Sequence, residues 1–131
     1  MDIAELQLKT TERTELKPVT GMIEDHARRH GWMDGVITLF VPHTTAGITI
    51  NENADPDVAS DMKMFFDELV PRSASFRHSE GNSDAHIKAS LTGSSLQVIV
   101  RGGRLWLGTW QGIYFCEFDG PRTRKLCLAF T

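Results

Sequence analysis

The sequence predicts an α+β domain with a β-sandwich-like core of mostly antiparallel strands and two to three helices. Three observations predict it. Strands and helices come first, and four strand-like segments then follow one another from residue 95 onward, an order that fits α+β rather than a doubly wound parallel sheet. Gly102-Gly103 lies between two of those segments and forms a favoured two-residue hairpin turn. The 131 residues, 40% hydrophobic and 24% charged, are enough for one globular core over 1–131 without a disulfide or a metal. No repeat, low-complexity tract or linker interrupts the chain, and Gly, Pro and Asn are scattered as turn punctuation.

Each element has a local cause. Ile3, Leu6 and Leu8 mark an opening strand, and Thr11–Leu16 reads as a short second one. A helix is expected from Pro18 to His30, with Val19, Met22, Ile23 and His26 as its inner stripe and Gly31 as its stop. Gly35–Val41 is a continuous apolar run of strand length, and Ala46–Ile50 a further strand. Asp55-Pro56-Asp57 is a strong helix start, because Asp55 caps, Pro56 suits the first turn and Asp57 favours the positive end of the dipole. Val58, Met62, Phe65 and Leu69 then recur as one apolar face, up to Pro71. Arg72–Gly81 reads as loop and Ser83–Ser90 as a short helix before Gly93. Leu96–Val100, Arg104–Leu107, Gly112–Phe118 and Arg122–Phe130 complete the strands.

Composition excludes several functions. A net charge of -3 lacks the basic footprint of a nucleic-acid binder. The longest apolar run, near Val36–Pro42, is too short to cross a membrane. The start Met1-Asp2-Ile3-Ala4-Glu5 reads as no signal peptide, so a cytoplasmic protein is expected. Cys116 and Cys127 both fall in apolar runs and read as buried free thiols.

The candidate chemistry begins with the five histidines. His26 and His30 share a helix face, but Ala27, Arg28 and Arg29 between them supply no zinc-protease glutamate, and they read as partly exposed helix histidines. His43 stands at the end of the buried strand, where a rigid scaffold hands a side chain to a pocket. His78 lies in the loop and His86 in the first turns of the next helix. From spacing alone, a three-imidazole site and three separate structural histidines both stand open. Neutral imidazoles suit zinc, and a carboxylate such as Glu52 orients rings or moves protons. Thr44 and Thr45 offer hydroxyls at a turn, Asn82-Ser83-Asp84 a helix start with free N–H groups, and Arg122 with Arg124 a bidentate anion clamp, unless the two simply share one solvated strand face. Trp110 offers a face for a planar ring and Gln111 a group to read its edge, although Trp110 serves equally well as an interface anchor.

Taken together, four stretches resemble one family: His43-Thr44-Thr45-Ala46-Gly47 running on to Glu52; Arg77-His78, Gly81-Asn82 and Ala85-His86; Gly108-Thr109-Trp110-Gln111-Gly112-Ile113; and Phe118-Asp119-Gly120-Pro121-Arg122. The chain resembles the YjbQ-like family, also called the secondary thiamine-phosphate synthase family, over almost its whole length. The resemblance implies an α+β homotrimer with a pocket near subunit boundaries. It implies His43, Glu52, His78 and His86 as catalytic residues and His43, His78 and His86 as ligands of a divalent metal, zinc or magnesium. It implies Thr44, Thr45, Asn82, Trp110, Gln111 and Arg122 as contacts to a phosphorylated small molecule. The implied reaction joins an aminopyrimidine-methyl diphosphate to a thiazole phosphate and releases pyrophosphate. A metal-dependent hydrolase or lyase, and a non-enzymatic trimeric module binding a metabolite or a metal, are the alternatives.

Overall fold

The computed structural model describes residues 1–131. Its elements, in order, are β1 (Asp2–Lys9), β2 (Glu15–Pro18), α1 (Thr20–Arg29), β3 (Gly35–Phe40), β4 (Ala46–Glu52), α2 (Pro56–Leu69), α3 (Ser83–Thr92), β5 (Ser95–Arg101), β6 (Arg104–Leu105), β7 (Gln111–Glu117) and β8 (Thr123–Phe130). The α+β expectation holds. A five-stranded sheet runs β1-β8-β3-β5-β6 and a three-stranded sheet runs β2-β7-β4. Every pairing is antiparallel.

Alternation explains the layers. Leu8, Ile37, Leu39, Val98, Val100, Leu126 and Leu128 point in from the larger sheet and meet Ala46, Ile48, Ile113 and Phe115 of the smaller one. Ile23 and Ala27 of α1 and the buried Trp32 complete this core. The other face of β7 carries Tyr114 and Cys116, which with Phe118 pack on Ala85 and Ala89 of α3 and on Ala59 and Phe66 of α2. β7 is thus covered on both sides. Gly102 and Gly103, both at positive φ, form the expected hairpin turn between β5 and β6.

Some boundaries move. Residues 11–14 are not strand, because the Glu15 carboxylate takes the Thr11 N–H at 2.7 Å and folds that stretch onto itself. Pro18 closes β2 instead of opening α1. Asp55 does cap α2, accepting the Asp57 N–H at 2.9 Å, but the buried face of that helix is turned by one position. Phe66 packs edge-on against Phe118 at 5.3 Å, whereas Phe65 and Leu69 are 58% and 55% exposed. Two adjacent phenylalanines satisfy either periodicity, and Phe118 decides between them. His26 and His30 stack at 4.0 Å beside Trp32, as helix-surface residues. No helix is long and apolar enough to cross a membrane.

The cysteines divide. Burial pushes the Cys116 thiol up to about 12, which keeps it protonated. Cys127 lies on the outer face of β8 and is only half-buried, so the pair is not uniformly buried. Iodoacetamide at about pH 8 should therefore alkylate Cys127 and spare Cys116 until urea is added. Mass spectrometry of the digest reads the outcome, and native labelling of Cys116 would mean that the helical layer opens freely.

Candidate functional site

The end of β3 and the start of β4 sit over the most polar part of the interior. On β7, Glu117 follows Ile113 and Phe115 on the face turned towards the larger sheet, so alternation drives a carboxylate between the layers. Arg124 of β8 meets it there, with its Nε donating to Glu117 at 2.8 Å and its Nη2 to the other carboxylate oxygen and to the Thr45 hydroxyl. The Thr10 hydroxyl donates to Glu117 at 2.7 Å and the Asp119 N–H at 3.1 Å. Burial pushes the Glu117 carboxyl up, but these donors outweigh it and hold it below the usual glutamate range.

His43 rests on this platform. Its Nε2 accepts the backbone N–H of Lys125 at 2.9 Å, so that lone pair is taken and the ring proton belongs on Nδ1. Burial, with Arg124 second, holds its pKa below the usual histidine value and keeps the ring neutral near pH 7. Thr44, His78, Asn82, His86 and Arg122 line the same cleft of about 430 Å³, together with Glu80, Asp119 and Arg124. The His78 and His86 rings meet edge to face at 5.4 Å. A second cleft of about 490 Å³ shares His43, Thr44 and His86, which form the wall between the two.

Asn82 is the most telling lining residue. It precedes α3 but does not cap it, because its Nδ2 donates to Asp119 at 2.9 Å. A carboxylate only accepts at neutral pH, so the amide orientation is fixed. Its Oδ1 is buried and has no hydrogen-bond partner. Asp119 also holds Arg122, through its carbonyl at 2.7 Å and its carboxylate at 2.8 Å. Two of the five guanidinium N–H groups are used there, which leaves three for a bound anion.

Not every expected residue is here. Thr45 lines the cleft but is buried, and its hydroxyl and carbonyl oxygens both accept from Arg124, so it also braces the platform. Glu52 closes β4, six residue steps of ~3.3 Å or about 20 Å beyond Ala46, and therefore lies away from the histidines within one chain. Glu52 pairs with Gln111 across the ladder, and its backbone carbonyl sits 2.8 Å from the Tyr114 hydroxyl. Gln111 accepts the Gly108 N–H on its Oε1 at 2.8 Å, and Trp110 stands 63% exposed. The cluster expected from the sequence is thus two sets at opposite ends of β4.

A metal fits this arrangement poorly within one chain. No group of three His, Cys, Asp or Glu side chains is arranged to hold an ion, and His43 has already committed Nε2 to a backbone donor. The three imidazoles do not fit a zinc or magnesium ligand set within the chain. Sequence reasoning also passed over the Glu117–Arg124 pair. Its signal was available: one acidic residue inside the apolar run of β7, at the parity that points between the sheets.

Fold and cleft together define a class: a small antiparallel sandwich with a helical layer, presenting a polar cleft with histidines where β3 passes to β4. A family model described as UPF0047 protein YjbQ-like matches residues 4–131, and the chain belongs to that family. It is 58% identical over 120 residues to the UPF0047 protein YugU of Bacillus subtilis, covering 91% of each chain. It is 53% identical to the UPF0047 protein MJ1081 of Methanocaldococcus jannaschii, over 91% of this chain and 86% of that one. A crystal structure of a YjbQ/UPF0047 protein from Clostridium acetobutylicum superposes with a TM-score of 0.94 at 51% identity, covering 98% and 99% of the two chains. The hypothetical protein APE1520 of Aeropyrum pernix also gives 0.94, at 37% identity over 100% and 98%.

Proposed function

We propose that the protein is a transferase acting on phosphorylated small molecules, and that its reaction is the thiamine-phosphate synthase condensation. One observation carries the reading: His43, Thr44, His86 and Arg122 converge on a single cleft with the open carbonyl of Asn82. In the condensation, the bond from the pyrimidine methylene to the diphosphate oxygen breaks and pyrophosphate leaves with its electron pair. The thiazole nitrogen supplies the pair for the new carbon–nitrogen bond. Charge grows on the leaving group, so fixed donors facing it lower the barrier. Arg122 and the uncapped first turn of α3 supply such donors, and His43 adds a neutral Nδ1–H. Asn82 Oδ1 accepts the amino group of the pyrimidine.

Trp110, Gln111 and Glu52 complete the site only from another copy. In this reading a homotrimer sets the Trp110 end of one chain against the histidine cleft of the next. Zinc and magnesium are the metals to vary in the assay. Purified protein given both substrates should form thiamine phosphate, and His43→Ala should lower turnover at least about 100-fold. Product no greater than that of His43→Ala under every metal condition ends the transferase reading. Tight diphosphate binding without turnover points instead to a metabolite-binding module.

A further inference from the structure

We infer a second ligand site, separate from the histidine cleft, that takes a compact phosphate group. It is a cleft of about 390 Å³ with no apolar lining residue, between the segment before β2, helix α2 and helix α3. Its volume lies within the range of small-molecule pockets, ~300–1,000 Å³, and a lining made only of charged and polar residues suits a small charged ligand.

The charges in the wall do not balance. Arg13, Lys63, Arg72 and Lys88 face it, against the carboxylates of Glu12 and Asp67. Lys63 is spent on Glu12 at 2.6 Å. Asp84, fully buried behind the wall, takes Arg13 through both oxygens at 3.0 and 3.1 Å. Lys88 reaches Asp84 at 3.0 Å and Asp67 at 2.8 Å. Arg72 makes no ion pair, so it is the one cation of the wall without a carboxylate partner.

Lys88 adds the second observation. Its side chain is only 1% exposed, yet it lines the cleft. An ammonium has three N–H donors, and the protein accepts two of them. A buried donor left open is costly, and an oxygen in the cleft would satisfy it. The Asp67 oxygen that receives Lys88 also lies 3.3 Å from the Thr14 hydroxyl. A phosphate oxygen on the spare N–H of Lys88, with Arg72 at the rim, fits the charge and donor count together.

The site is independent of the histidine cleft in its ligand groups, although Arg13 also approaches Asp119 of that cleft at 3.9 Å. Inorganic phosphate is the probe. It is titrated into isotope-labelled protein at fixed low ionic strength, with backbone amide shifts followed by NMR and chloride as the control anion. Amides of Arg13, Thr14 and Arg72 should shift and saturate with phosphate but not with chloride. Arg72→Ala, an exposed change that leaves the buried network intact, should weaken that saturation about tenfold or more without altering shifts around His78 and His86. Arg122→Ala should do the reverse. Lack of saturation in the wild type, equal response to chloride, or an Arg72→Ala curve equal to wild type overturns the proposal. None of these results depends on whether the histidine cleft catalyses a condensation.

Discussion

Replacing Arg124 by Met is expected to lower the unfolding free energy by about 3–5 kcal/mol near neutral pH. The change keeps an apolar stem of similar length but strands Glu117 between the sheets, where its side chain is 0% exposed. Most of the loss comes from the orphaned carboxylate, not from the attraction itself. The double change Arg124→Met with Glu117→Leu should therefore recover much of the loss.

The pH dependence has a definite sign. Glu117 is depressed on folding, so its contribution is complete above the unfolded value of about 4.3 and disappears as pH falls through the lower folded value. Wild-type stability should fall in that acid window. In Arg124→Met the carboxyl is buried without its cation, its pKa rises, and protonation relieves it earlier. Urea unfolding at about pH 7 and about pH 4.5 should show the gap between variant and wild type narrowing in acid. An equal gap at both values would assign the loss to packing.

Arg122→Ala is expected to reduce pyrophosphate affinity about 10–100-fold, the worth of charge-assisted hydrogen bonds to a bound anion. Stability should move little, since the side chain is 53% exposed and its pairing with Asp119 is largely solvated. Arg122→Lys should restore charge but only part of the affinity, because an ammonium cannot hold both Asp119 and a phosphate edge in one plane. Calorimetric titration reads all three proteins. Unchanged affinity in Arg122→Ala would remove the arginine from the site and leave the anion to the helix start and the histidines.

Much of this arrangement was legible in the residues, and the failures have physical causes. Asp55-Pro56-Asp57 announced α2 because a cap is a local event, and Gly102-Gly103 announced a hairpin for the same reason. The facing of α2 was not local: Phe118, distant in sequence, chose Phe66 over Phe65. His43, His78 and His86 line one cleft, a grouping that their spacing left open and that only the family resemblance implied. Glu52 does not join them, because nearness along an extended strand becomes distance in space. The use of the His43 lone pair by Lys125 lies beyond sequence reading, since it depends on where β8 passes the end of β3.

β7 has one further consequence. It is the shared wall of two hydrophobic layers, with Ile113 and Phe115 on one side and Tyr114 and Cys116 on the other. Peeling away the helices would wet one side of this strand, and parting the sheets would wet the other. Loss of either layer therefore wets a strand on which the other still packs, which ties the melting of the two together.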